Sequence, residues 1–529
     1  MAASANRRTD NRVVTEAKGR VKSLSGAAGT VGAFTLLSRL PGFVRDIVIA
    51  NYFGTKSAAD AFFMAFRIPN LLRRLTAEGA LSAAFVPLFT KTLLKNREEA
   101  FRLANNVLFH LTLLITVIMI TGIVFAEPLL KLIAVGFTDD PDKFQLTVSL
   151  TRLVFPYLMF VSLAAIIMGI LNSLHHFAAP AAAPVMLNIS FIVCTIFLRD
   201  YFDFPVYALA AGVLIGGFLQ LAIQIPFAIK EGFVFTFVFD PRSRLLKKVL
   251  LLTLPAIVGT AVAEINMFVD TMLASMLKGG SVSYLYYANR LVQFPLGVFA
   301  IAISTALLPA LSHHAGKNEN QKIIDTLSLS VRGAMFLVIP STAGLIILRE
   351  PIIGVLFERG AFDHAATLNT AFVLAFYAAG LLAFSGVKLF VSAFYAVGDT
   401  KTPVKLAIIS MLINIALNII LMGPLEAGGL ALATALASWI NLLGLGYLLS
   451  KRFGNIDGIT IFKSFLATTL ISLAMAAAIA LAWGPVFAGG FTAGGLAIII
   501  ILAVAVYLIC SLIFGQSEAK RLASFFKER

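Results

Sequence analysis

Long apolar runs recur along the whole chain, and they constrain its fold more than any other feature. About fourteen stretches of roughly twenty residues have the length that an α-helix needs to cross the hydrocarbon core of a bilayer. Only 13% of the 529 residues are charged, whereas soluble domains carry roughly 25%. Membrane-spanning strands would require ~10-residue segments of alternating polarity, which the sequence lacks. The sequence therefore predicts an all-α polytopic membrane protein.

The apolar runs form two groups of six, followed by a final pair. The first six predicted helices cover residues 27–52, 58–91 (broken at Pro69), 104–126, 147–173, 181–199 and 205–229. The next six cover 247–277, 283–312, 326–348, 366–396, 402–422 and 428–451, and the final pair covers 461–483 and 491–515. The predicted domains are a basic tail (1–26), an N-lobe (27–229), a linker (230–246), a C-lobe (247–451), the final helix pair (452–515) and a second basic tail (516–529).

The basic residues predict the orientation of these helices. The net charge is +15, but the lysines and arginines fall in alternate loops, as the positive-inside rule requires of cytoplasmic segments. Both termini are therefore expected in the cytoplasm, and a nucleic-acid partner is not expected. The polar start of the chain contains no apolar core of a cleavable signal peptide. Cys194 and Cys510 lie far apart and the histidines are scattered, so neither a disulfide nor a metal site is predicted.

The two groups of six helices resemble each other when the chain is shifted by about 223 residues. With a small gap in the alignment, Asp46 then falls on Asp270, and Arg67 falls on Arg290. Chance similarity between apolar segments is the alternative explanation. An offset of six helices is even, so the halves would share one orientation as parallel repeats. Transporters built in this way bind substrate between the halves and near the midplane.

Charged residues lie inside several predicted helices, where each costs at least ~2.5–3.5 kcal/mol on insertion. They are Arg39, Arg45 and Asp46 in helix 1, Asp60, Arg67, Arg73, Arg74 and Glu78 in helix 2, Glu264 and Asp270 in helix 7, and Arg290 in helix 8. One interpretation is that ion pairs lock the helices together. The other is that the charges converge on a cationic, water-filled cavity, because arginine suits a multi-donor grip on phosphate or carboxylate. Pro41, Pro69 and Gly79 beside the charges favour the cavity, since irregular membrane helices are tolerated where they line one.

Four motifs resemble one known family. They are SRLPGFVRDIVIANYFG (38–54), ADAFFMAFRIPNLLRRLTAEGALSAAFVP (59–87), YYANRLVQFPLGVFAIAISTALLP (286–309) and FYAVGDTKTPVK (394–405). These stretches closely resemble the MurJ (MviN) family of bacterial lipid II flippases, which act in peptidoglycan biosynthesis. That family belongs to the superfamily of multidrug, oligosaccharidyl-lipid and polysaccharide exporters, which share a six-plus-six helix core. Pro41 and Thr76 depart from the usual pattern and put the local helix geometry in doubt.

The resemblance implies that lipid II, an undecaprenyl-pyrophosphate-linked disaccharide-pentapeptide, moves from the inner to the outer leaflet of the cytoplasmic membrane. It implies that Arg39, Arg45, Arg73 and Arg290 bind the pyrophosphate and that helices 13 and 14 hold the lipid tail. The supporting cavity residues are Ser38, Asp46, Asp60, Arg67, Arg74, Glu78 and Glu264. Asp270 matches a position proposed to couple a monovalent cation, Na⁺ or H⁺, and no other cofactor is implied. Membrane lipids and the cell-wall synthesis machinery are the further expected partners of a monomeric protein.

Other functions make different demands on the sequence. A flippase or exporter of another anionic lipid-linked oligosaccharide would use the same charges and is the alternative. A cationic-drug exporter would need an acidic cavity, and this one is basic. An enzyme acting on polyprenyl phosphates would need a nucleophile–base set or an acidic metal cluster in a loop, which the short loops do not offer. A structural scaffold would not need converging arginines. We therefore expect a transporter and not an enzyme.

Overall fold

The computed structural model describes residues 40–75, 81–454 and 456–520 of the chain. Within these ranges every regular element is a helix. The predicted fold class, an all-α membrane protein, is therefore confirmed. Ser38, Arg39, Thr76, Glu78 and Gly79 lie outside the described residues.

Ten α-helices precede the linker. Residues 40–53 form α1. The others are α2 (Ser57–Arg73), α3 (Ser82–Leu93), α4 (Arg97–Val124), α5 (Ala126–Ile133), α6 (Pro141–Val154), α7 (Tyr157–Ser173), α8 (Ala178–Phe197), α9 (Tyr207–Ala222) and α10 (Ile225–Lys230).

Ten more helices follow the linker among the described residues. They are α11 (Arg244–Ser275), α12 (Ser281–Pro295), α13 (Ala302–Gly316), α14 (Asn320–Ile347), α15 (Arg349–Phe357), α16 (His364–Ala379), α17 (Leu381–Ala396), α18 (Lys401–Phe453), α19 (Gly458–Phe487) and α20 (Ala493–Ile513). A π-helical segment, Leu296–Ile301, joins α12 to α13.

Ten helical segments in the described ranges are long and apolar enough to cross a membrane. One of them, α18, takes in two predicted spans, 402–422 and 428–451, because it continues across a kink. Glu426 lies at the kink with a φ of 49° and a ψ of −131°, a conformation that glycine favours. Its carboxylate pairs with the Lys278 ammonium at 2.5 Å. The number of fourteen transmembrane helices stays a prediction.

The predicted break at Pro69 is wrong. Helix α2 runs through Pro69 to Arg73, and residues 74–75 then form a π-helical turn. A proline removes one backbone donor from the helical ladder. Membrane helices accommodate this loss where neighbouring groups or a local π adjustment satisfy the freed carbonyl.

The chain divides into two compact units. Unit 1 comprises the described residues up to 49 together with 65–129 and 147–260, and unit 2 comprises 50–64, 130–146 and 261 onward. The core of unit 1 lies mainly among α3, α4 and α7 and includes the stacked rings of Phe85 and Phe89, 5.2 Å apart. Unit 2 has one core around α13, α14, α17 and α18 and another around α14, α19 and α20.

Small residues bring α18 close to its neighbours in unit 2. A Cβ added at Gly428 would lie 2.5 Å from the Phe372 ring of α16, and one at Gly380 would lie 2.9 Å from Ala435. Gly, Ala and Ser are the residues that allow membrane helices to approach closely. The stripe Gly428, Ala431 and Ala435 therefore serves helix packing.

Candidate functional site

Arg45 on α1 is held by residues of two helices in unit 1. Its Nε and Nη2 donate to Oδ1 of Asp46 at 2.9 and 2.7 Å, and its Nη1 donates to Oδ1 of Asn188 on α8 at 3.2 Å. The guanidinium also lies 5.3 Å from the centroid of the Phe191 ring. Asp46 is fully buried, whereas the Arg45 side chain is 14% exposed. These charge-assisted bonds fix the plane of the guanidinium.

The arginines of α2 lie farther along unit 1. Nε and Nη2 of Arg73 donate to Oδ1 of Asn70 at 3.1 and 2.8 Å, one helical turn earlier. These two bonds from Arg73 to the Asn70 amide orient the guanidinium. Arg67 and Arg74 are half-buried, and Arg74 lies in the π-helical turn that follows α2.

Asp60, at the start of α2, is the centre of a buried network in unit 2. Its Oδ1 accepts from the backbone N and the Oγ of Ser283 at 3.0 and 2.6 Å, and its Oδ2 accepts from the backbone N of Gly280 at 2.7 Å. The Lys143 ammonium donates to Oδ2 at 3.0 Å and lies over the ring of Phe137. Asp60 therefore caps the N-terminus of α12, where free N–H groups and the helix dipole favour a negative charge.

A second buried carboxylate, Asp270 on α11, faces polar groups of α18. Its Oδ1 accepts from Nδ2 of Asn418 at 2.7 Å, and its Oδ2 accepts from Oγ1 of Thr434 at 3.3 Å. In the amide orientation that satisfies both of its polar atoms, Asn414 donates to Asp270 at 3.1 Å and to Oδ1 of Asn266 at 3.0 Å. The cluster offers carboxylate, amide and hydroxyl oxygens, which are hard ligands of the kind that small alkali and alkaline-earth cations prefer. No group of three or more His, Cys, Asp or Glu residues with metal-binding geometry occurs in the described ranges.

The predicted site residues are distributed over both units. Arg45, Asp46, Arg67, Arg73 and Arg74 belong to unit 1, and Asp60, Glu264, Asp270 and Arg290 belong to unit 2. Glu264 and Arg290 are half-buried on α11 and α12. The structure thus brings Arg45 together with Asp46, whereas the convergence of all these charges on one cavity stays a prediction.

Several residues of these networks were not predicted from the sequence, among them Lys143, Asn188, Ser283 and Thr434. Ser283 could have been found, because it lies 223 residues after Asp60, which is the offset of the internal repeat. Asn188 is a polar residue within the apolar stretch of α8. Lys143 follows an acidic loop and Thr434 lies among small residues, and neither context distinguishes them from surface or packing residues.

Buried carboxylates and half-buried guanidinium groups within apolar helices are typical of membrane transporters, and this is the class that the fold and these charges define. The sequence model described as "Lipid II flippase MurJ" matches residues 49–502. The chain belongs to this family, and the resemblance of its motifs is therefore confirmed.

Individual relatives agree with this membership. The "Probable lipid II flippase MurJ" of Rhizobium tropici is 38% identical over 522 residues, which cover 94% of this chain and 96% of the relative. A solved structure, "Lipid II flippase MurJ, inward closed conformation", has 33% identity and a TM-score of 0.78, and the match covers 92% of this chain and 98% of that one. An inward-facing transporter of the multidrug-resistance MATE family has a TM-score of 0.68 at 15% identity, covering 80% of this chain and 96% of that one, and shares the fold.

Proposed function

We propose that this protein is a flippase that moves lipid II from the inner to the outer leaflet of the bacterial cytoplasmic membrane. The observation that carries the proposal is the match to the solved lipid II flippase, at 33% identity over 92% of this chain. The protein lies in the membrane with both termini in the cytoplasm. It binds and releases its substrate without making or breaking a covalent bond, so it is a transporter and not an enzyme.

The pyrophosphate is the part of lipid II that is most costly to move through the hydrocarbon core of the membrane. Transfer of its negative charges through hydrocarbon is prohibitively costly unless opposite charges accompany them. Arg39, Arg45, Arg73 and Arg290 bind these charges. Arg45 is already oriented by Asp46 and Asn188. Its side chain therefore loses less conformational entropy when phosphate binds than that of a freely rotating arginine.

The undecaprenyl tail needs no polar site. Helices α19 and α20 expose apolar side chains along their length, with Leu481 82% exposed and Ile501 69% exposed. The tail lies along these helices in contact with lipid while the headgroup passes through the protein. Only the polar part of the substrate then requires a compensating environment.

The network of Asp60 serves alternating access. With the termini in the cytoplasm, the start of α2 is on the outer side of the membrane. Four hydrogen bonds join Asp60 to residues far along the chain, and the one from Lys143 is also an ion pair. We infer that these bonds close the outer side and break when the site opens outward.

The Asp270 cluster couples this change to a monovalent cation. A cation that binds one conformation more tightly shifts the equilibrium only by that difference in affinity. Na⁺ or H⁺ at Asp270 alters the bonds between α11 and α18 and so favours one conformation. The protein acts as a monomer and delivers lipid II to the cell-wall synthesis machinery on the outer side.

The test is outer-leaflet exposure of lipid II in cells depleted of this protein and rescued with variants. The wild type is expected to restore exposure, whereas stably expressed Arg73→Ala and Arg290→Ala are expected to fail. Arg152→Ala is the matched control, because Arg152 lies exposed on α6 and outside the site. Full rescue by the two site variants would make those arginines structural.

Depletion itself tests the substrate. If exposure of lipid II stays unchanged in depleted cells that contain no substitute flippase, the assignment of lipid II is wrong. Another anionic lipid-linked oligosaccharide then becomes the candidate substrate.

A further inference from the structure

The linker between α10 and α11 contains a segment without regular secondary structure, residues 233–240, that we call the strap. Its sequence FVFTFVFD alternates phenylalanine with other residues. Such alternation places the phenylalanines on one side of an extended chain. The strap is not part of a β-sheet, so another element must hold its backbone.

Two neighbouring asparagines of α4 hold the strap. Asn105 donates to the carbonyl of Val234 at 2.9 Å and accepts from the backbone N of Thr236 at 3.2 Å. Asn106 donates to the carbonyl of Asp240 and accepts from its backbone N, both at 2.9 Å. Each amide therefore bonds the strap as a neighbouring strand would. Backbone groups satisfied in this way can approach the hydrocarbon region without a large penalty.

The aromatic side of the strap packs along α4 but remains exposed. Phe233 is fully buried, whereas Phe235, Phe237 and Phe239 are 45%, 78% and 55% exposed. The ring centroids of Phe237 and Phe239 lie 4.6 and 5.4 Å from that of Phe109 on α4. Three exposed phenylalanines in one short segment are a surface that water does not favour.

The charged residues of helix α4 indicate how deep in the membrane this surface lies. Arg102 is the last charged residue of its first turns, and no Asp, Glu, Lys or Arg follows until Glu127. Phe109 lies seven residues beyond Arg102, which is roughly 10 Å along the helix axis. Interfacial segments bury their apolar side ~5–10 Å into the boundary between headgroups and acyl chains. Phe237 and Phe239 therefore lie near that boundary.

Basic residues surround the strap on both sides in the chain. Lys230 precedes it, and Arg242, Arg244, Lys247 and Lys248 follow it, all exposed. Between residues 230 and 248 these five basic residues stand against two acidic ones, Glu231 and Asp240. Basic residues beside a membrane attract anionic headgroups.

We propose that the strap is an interfacial membrane anchor. Its phenylalanines insert at the boundary between headgroups and acyl chains, and the flanking basic residues bind the phosphates of anionic phospholipids. The location of this anchor in the cytoplasmic leaflet rests on the orientation proposed above. The anchor is independent of which lipid the protein transports, because the strap contains none of the proposed substrate-binding residues.

A tryptophan reporter tests the anchor in the full-length protein. The chain has two tryptophans, so Trp439→Phe and Trp483→Phe give a background without fluorescence from tryptophan. Phe237→Trp then reports the aromatic side of the strap, and Thr236→Trp, on the opposite side, is the matched control. Each protein is reconstituted in vesicles of phosphatidylcholine or of equal parts of phosphatidylcholine and phosphatidylglycerol. A brominated lipid serves as the quencher. The mixed vesicles are made in two forms, one with brominated phosphatidylcholine and one with brominated phosphatidylglycerol.

Brominated lipid is expected to quench Phe237→Trp much more strongly than Thr236→Trp, while iodide in water quenches Thr236→Trp more. In the mixed vesicles, brominated phosphatidylglycerol is expected to quench Phe237→Trp more than brominated phosphatidylcholine. Lys247→Gln with Lys248→Gln should remove most of that excess. Equal quenching of the two reporter positions by lipid would overturn the insertion, and equal quenching by the two lipids would overturn the binding of anionic headgroups. Neither readout depends on lipid II, so these results and those of the flippase assay can fail separately.

Discussion

Asp60 and Ser283 share a hydrogen bond of 2.6 Å and are separated by 223 residues, the offset of the internal repeat. Equivalent residues of two parallel repeats can touch only close to the axis that relates the repeats. This contact matches the offset of the repeat, which stays a prediction from the sequence. It also explains why the two positions differ, because two carboxylates in contact would repel each other and one would have to be protonated.

Removing only one partner of the ion pair between Asp60 and Lys143 is expected to destabilise the protein strongly. Asp60→Asn leaves the buried Lys143 ammonium without its carboxylate, at a cost of about 3–5 kcal/mol in the free energy of unfolding. Lys143→Met combined with Asp60→Asn should cost clearly less than the sum of the single changes. Unfolding of the four proteins of this double-mutant cycle in detergent provides the measurement. Additive costs would mean that the two side chains do not act as a pair.

Asn188 is expected to act through Arg45. Asn188→Leu removes an acceptor from a charged donor, which costs ~1.5–3 kcal/mol, and leaves the guanidinium less well oriented. If that energy is lost from substrate binding, rescue of lipid II exposure should fall about tenfold or more. Asn188→Asp keeps an acceptor for Arg45 and should retain more activity than Asn188→Leu at equal expression. Equal rescue by both variants would remove Asn188 from the site.

The Asp270 cluster is expected to make stability depend on a monovalent cation. A ligand at a hundred times its dissociation constant stabilises the folded state by about 2.7 kcal/mol. Thermal unfolding is compared in sodium chloride and in choline chloride, whose cation is too large for a cluster of side-chain oxygens. The wild type should unfold at higher temperature in sodium or, for proton coupling, respond to pH instead. Asp270→Asn should abolish whichever response occurs, and a wild type that responds to neither ion would contradict the coupling.

Glu319, which lies outside the membrane-spanning segments, is expected to make the stability of the protein depend on pH. It accepts from the Lys322 ammonium and pairs with His314, both at 2.9 Å. Chiefly through the hydrogen bond from Lys322, the pKa of Glu319 falls from 4.5 to about 2. Because the folded state favours the carboxylate, its stabilising contribution is complete above the unfolded-state pKa and is lost as the pH falls toward 2.

The measurement is the difference in thermal stability between the wild type and Glu319→Gln as the pH is lowered. The wild type should be the more stable protein at about pH 5, where the Glu319 carboxylate is ionised in both the folded and the unfolded state. The difference should then shrink between about pH 4.5 and pH 2. A difference that does not shrink between about pH 4.5 and pH 2 would show that the carboxylate is not stabilised by these partners.

The fold class, the family and most helices could be predicted because they depend on apolar length and local motifs. The networks could not, because they join residues far apart in the chain. Lys143 meets Asp60 across 83 residues, and Asn188 meets Arg45 across 143. Arg45 was predicted to bind substrate, yet nothing in its neighbourhood identifies the helix that orients it. Pro69 shows the opposite error, since a local rule predicted a break where the surrounding membrane helix continues.

Asn105 and Asn106 bind the strap only through its main chain, and this has a consequence for how the segment tolerates substitution. Side chains at Val234 and Thr236 can change without losing the bonds to the asparagines, because every residue offers a carbonyl and all but one offer an amide hydrogen. Proline is the exception. A comprehensive substitution library should therefore accept chemically diverse residues at 236 while rejecting proline at both 236 and 240.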